Sequence, residues 1–142
     1  MRARHAILPA IALLLAGCAG EPSTEAATLP GATAGARPSS TAILEIVEPQ
    51  DDAVVRGAAV TVVFSLEGGT LVDLTEIEVR PDEGHLHVTV DGALVSMTGG
   101  LEQELNGLES GPHLVKAEYV AADHAPFEPR VLAAVAFTVE ER

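Results

Sequence analysis

Four histidines in the second half of the chain, His85, His87, His113 and His124, are the residues best suited to chemistry. His85 and His87 flank Leu86 in the run GHLHVTV. Residues two apart on a strand share a face and lie about 6.5 Å apart, within reach of one metal ion for two imidazoles. Leu86, Val88 and Val90 occupy the alternate positions and suit a core, so both histidines should point away from it. If the strand from His85 pairs antiparallel with the strand from His113, the start of one lies beside the end of the other. His124, just past that end, then approaches His85 and His87, with imidazole nitrogens able to come within about 4 Å of a common point. His113 falls at the opposite end of the sheet, about 15–20 Å away. The candidate ligands are therefore His85, His87 and His124. Asp82, Glu83 and Asp123 are the nearby carboxylates that would orient the rings.

Imidazole donors favour copper or zinc. A calcium site on Asp82, Glu83 and Asp123 is the weaker variant, since no calcium-loop spacing is present. Strand histidines frequently do nothing but hydrogen-bond, so His-x-His alone does not establish a site. Met97 depends on register. A two-residue turn at Asp91-Gly92 sets Leu86 opposite Met97 and sends the thioether to the core, whereas a one-residue slip brings it beside the histidines.

Other chemistries lack their residues. The domain has no Gly-x-Ser-x-Gly elbow, phosphate loop or cysteine nucleophile, so the expectation is no enzyme and no catalytic residue. Asp51-Asp52 and Glu140-Glu141 are adjacent pairs whose side chains diverge on an extended chain. The formal charge is −13, and the cations are scattered, which excludes nucleic acid as a partner. Two of those cations, Arg2 and Arg4, belong to the first segment described next, while every acidic residue follows position 18.

That first segment, Met1–Gly17, joins the two arginines to an apolar stretch, Ala6–Leu15, too short to span a bilayer. It reads as a cleaved export signal. Leu15-Ala16-Gly17-Cys18 resembles the lipobox of bacterial lipoproteins. The resemblance implies diacylglycerol on the Cys18 thiol, cleavage before it and acylation of the new amino group, commonly with palmitate. Two or three acyl chains anchor stably where one is marginal. The expected location is the extracytoplasmic side of the cell membrane or outer membrane. Cys18 is the only cysteine, so no disulfide forms within the chain. Residues 19–40 hold one large aliphatic residue, Leu29, among Ala, Gly, Pro, Ser and Thr, and are expected to act as a flexible tether.

From Thr41 to Arg142 the texture becomes β-rich. The expected strands are Ala42–Val47, Ala59–Leu66, Leu71–Val79, His85–Val90, Ala93–Thr98, Leu101–Leu108, His113–Ala121 and Val131–Glu140. Val60, Val62, Phe64 and Leu66 share one face, as do Val131, Ala133, Val135, Phe137 and Val139. With three Phe, one Tyr and no Trp, the core must be mostly aliphatic. The reading is an all-β, antiparallel sandwich of seven to eight strands, with a small barrel as the alternative. It resembles the immunoglobulin-like and fibronectin-type modules of bacterial surfaces.

The segments Gly84–Gly92, Gly111–His113 and Asp123–Val131 also resemble a pattern in small exported bacterial domains, the DUF4399-like group. Phe127 stands where that pattern often has a second histidine. The resemblance implies export and fold and carries no activity. The functional expectation is an interaction or structural module displayed on the membrane to an envelope protein. The alternative is a histidine-based copper or zinc site.

Overall fold

The computed structural model describes residues 36–141; the leader, Cys18 and positions 19–35 of the expected tether lie outside the described residues. Among the described residues nine strands form: β1 (Ile43–Glu48), β2 (Ala53–Arg56), β3 (Ala59–Glu67), β4 (Thr70–Leu71), β5 (Glu83–Val90), β6 (Ala93–Thr98), β7 (Glu102–Asn106), β8 (Gly111–Ala121) and β9 (Pro126–Glu140). One sheet has the order β1-β3-β7. The other runs β2-β9-β8-β5-β4, with β6 also paired to β5. Among the described residues no strand pairing joins the two sheets, so the architecture is a sandwich and not a barrel.

Period-two alternation supplies the core. Val60, Val62 and Phe64 of β3 face Leu86, Val88 and Val90 of β5, Val115, Ala117 and Tyr119 of β8, and Val135, Phe137 and Val139 of β9. Tyr119 is fully buried, and its hydroxyl lies 2.8 Å from the Thr70 carbonyl and 2.7 Å from that of Asp82. The Thr70 N–H donates to it in turn at 3.2 Å. The phenol thus ties the chain before and after the 72–82 segment to the β8 core, and burial pushes its pKa up to about 12.

Four expectations need correction. The run Leu71–Val79 is not a strand: only Thr70–Leu71 pairs, and the chain then crosses the sheet edge as a loop. Local side-chain bonds hold it there. The Asp73 carboxylate accepts from the Thr75 N–H and hydroxyl, and Glu76 accepts from the N–H groups of Ile77 and Glu78. Ile77 within it is 75% exposed. β2 was missed because four residues carry little periodicity. It forms by parallel pairing with the far end of β9, and β4–β5 is likewise parallel within an otherwise antiparallel sandwich.

The third correction is Met97. A bulge in β6 breaks the β5–β6 register between Val88 and Thr89, so His87 and not Leu86 stands opposite Met97. Fourth, residues 37–40, expected as part of a flexible tether, are held against the domain. Arg37 forms a fork on Asp123 at 2.6 and 2.9 Å and donates to the carbonyls of Ala125 and Pro126. The Pro38 carbonyl accepts from the Glu128 N–H, and Ser40 donates to Asp82 at 2.7 Å. Composition did not reveal this, because the contacts are made by single polar groups and not by an apolar face.

Candidate functional site: a histidine cluster on the outer sheet face

His85, His87 and Thr89 point to the face of β5 opposite Leu86, Val88 and Val90, as alternation requires. β5 pairs antiparallel with β8, setting His85 opposite Val120 and His87 opposite Glu118. β8 ends at Ala121, and a short turn leads into β9. The His124 N–H donates to the Ala121 carbonyl at 2.8 Å, and a φ of 60° puts His124 in the left-handed region. From there its ring lies over β5. It stacks on His85 with centroids 4.6 Å apart and on His87 at 5.5 Å, with planes within 20° of parallel in both pairs. His87 Nε2 and His124 Nδ1 are 3.2 Å apart, so one of these nitrogens carries the proton and the other accepts it. The structure thus brings together the three histidines expected to meet.

His85 departs from expectation in one respect. It leaves the core but is fully buried, because the loop after β4 covers it. Its Nε2 lies 2.8 Å from the Asp73 carbonyl, which can only accept, so Nε2 carries the proton. In the neutral ring Nδ1 then holds a lone pair, and it is a buried side-chain nitrogen with no hydrogen-bond partner among the described residues. Buried polar atoms are nearly always satisfied, which makes this one informative.

The carboxylates expected to orient the rings are engaged elsewhere. Asp82 accepts from Ser40 and Thr41, which hold its pKa low. Glu83 pairs with Arg80. Asp123 is claimed by Arg37, which lowers its pKa, and by the Ala125 N–H. Glu118, beside His87, is forked by Arg130 through Nε at 2.6 Å and Nη2. Sequence reasoning missed Arg37, Glu118 and Arg130. None of the three carried a local signal, since Glu118 reaches His87 only through the β5–β8 register.

His113 is remote, as expected. It sits five to seven residues along β8 from the partners of His87 and His85, about 16–23 Å away. Its Nδ1 lies 2.8 Å from the Asp91 carboxylate and its Nε2 2.8 Å from the Glu109 carbonyl. Both partners accept, so both contacts are satisfied at once only by the protonated ring. These contacts, the carbonyl first, raise its pKa. His87 moves the other way, lowered first by burial and then by His124.

Opposite pH signatures follow. The unfolded His87 binds its proton more readily than the folded one. Its contribution is therefore present above about pH 6.5 and is lost as pH falls toward the folded value. For His113 the contribution is full below about pH 6.5 and is lost as pH rises through the raised folded value. NMR titration should find His113 losing its proton at higher pH than His87. The reverse order would contradict the assignment.

Among the described residues no group of three His, Cys, Asp or Glu side chains is placed to hold a metal ion.

No protein-family model matches the chain, and no curated protein matches it either. Among solved structures, fibronectin(III)-like modules of Clostridium thermocellum CbhA superpose with a TM-score of 0.52. Identity is 14%, over 70% of this chain and 96% of that one. The likeness is one of fold alone. The PKD domain of human KIAA0319 (TM-score 0.45, 11% identity, 78% and 90% covered) and CopC from Methylosinus trichosporium OB3b (TM-score 0.37, 20% identity, 70% and 95% covered) are more distant, and nothing about this chain follows from them.

Proposed function

We propose that this chain is a lipid-anchored, extracytoplasmic β-sandwich that binds a transition-metal ion through His85, His87 and His124. The observation that carries the metal reading is the state of His85: Nε2–H is spent on the Asp73 carbonyl while Nδ1 is buried without a partner. Metal-ligating histidines characteristically donate one ring N–H to a carbonyl and offer the other nitrogen to the ion. His87 and His124 set two more imidazole rings beside it. A formal charge of −13 concentrates cations near the surface. The reading is of a binding module, and no residue is given a catalytic role.

Titrating Cu(II) and Zn(II) into the protein tests it by calorimetry. His87→Ala should weaken binding about tenfold or more, because it removes one of three donors, while His113→Ala leaves it unchanged. Equal affinity of wild type and His87→Ala would make the cluster structural, leaving the sandwich as a surface for an envelope protein. Anchoring has its own test. Cys18→Ser should shift the protein from the detergent phase to the aqueous phase, or leave the leader uncleaved, since no other thiol exists to take the lipid. Equal partitioning of both forms would exclude the anchor.

A further inference from the structure

We infer that Met97 supplies a thioether donor beside His87, making the cluster a nitrogen–sulfur site suited to Cu(I) in preference to Zn(II). This rests on the metal-binding reading above. The β6 bulge sets Met97 directly across from His87 on the outer face, where paired side chains approach to about 5 Å between Cβ atoms. Met97 is 48% exposed, so its flexible thioether is accessible and not packed in the core.

The surrounding carboxylates sharpen the choice. Glu118 is forked by Arg130, Asp123 by Arg37, and Glu83 is paired with Arg80. Asp82 is taken by Ser40 and Thr41, and the Asp73 carboxylate by Thr75. These five carboxylates are thus committed to a cation, a hydroxyl or a backbone N–H. Beside them stand imidazole nitrogens and one thioether sulfur. Soft thioether ligands select Cu(I), whereas a zinc site gains little from them and ordinarily recruits a carboxylate, thiolate or water instead.

The test uses the full chain carrying Cys18→Ser, so that no cysteine thiol competes for Cu(I). Affinities for Cu(I), measured against a chromogenic Cu(I) chelator, and for Zn(II) are compared among this chain, Met97→Leu and His87→Ala. Leucine nearly conserves the volume of methionine at a half-exposed position, so the fold should be kept. Met97→Leu should weaken Cu(I) binding about tenfold or more with Zn(II) affinity unchanged, while His87→Ala weakens both. X-ray absorption of the Cu(I)-loaded chain should show a sulfur neighbour that disappears in Met97→Leu. Full Cu(I) affinity in Met97→Leu alongside a loss in His87→Ala would overturn the role of Met97 and leave the histidine site standing. Cu(I) and Zn(II) binding no tighter than in His87→Ala would overturn both.

Discussion

Gly84→Ala should destabilise the domain by about 3 kcal/mol or more and scatter the histidine cluster with it. Gly84 sits one residue before His85, where β5 meets the end of β8. A Cβ there would lie 1.8 Å from the Val120 carbonyl oxygen and 2.8 Å from its carbon. Both atoms are backbone, so no side-chain rotamer relieves the contact. The two strands must separate, and the pairing they would lose includes His85 opposite Val120. A domain of this size is stable by about 5–15 kcal/mol, so the loss is a large share of the total. Urea unfolding measures it, and the imidazole resonances report whether the stack survives. A loss below about 1 kcal/mol would mean that the end of β8 yields easily.

Phe127→Ala should cost about 3–5 kcal/mol, the range for a fully buried ring. Phe127 is completely buried, three residues beyond His124, and its ring stacks on Tyr119 with centroids 5.2 Å apart. Its removal leaves a cavity against the one phenol whose hydroxyl secures both ends of the 72–82 segment. The loop covering His85 should therefore loosen as well, exposing that ring to solvent. Leu132→Ala is the control: Leu132 is 45% exposed on the outer face, and its loss should stay within about 1 kcal/mol. Equal midpoints for the two variants would show that Phe127 does not carry the packing attributed to it.

Much of this architecture was legible from local patterns. Alternation in Ala59–Leu66 and in Val131–Glu140 identified the core faces of β3 and β9, because a strand turns successive side chains to opposite sides whatever it pairs with. The same rule put His85 and His87 on the face away from Leu86. Antiparallel pairing then brought His124 to them and left His113 at the far end, as the β5–β8 register shows. These conclusions need only a two-residue period and the sense of one strand pair.

The rest depended on groups distant in the chain. The Leu71–Val79 run alternates well enough to suggest a strand, but Asp73 and Glu76 hydrogen-bond the neighbouring backbone and make it a loop. That loop buries His85 and fixes its tautomer through one carbonyl. A single extra residue in β6 moved Met97 from the expected core face to the side of His87. Arg37, in a segment whose composition reads as tether, reaches 86 residues along the chain to Asp123. Local periodicity determined which way the histidines point. Cover, register and charge partners decided what surrounds them, because a bulge, a loop crossing or a salt bridge depends on where another strand ends and leaves almost no trace in the residues beside it.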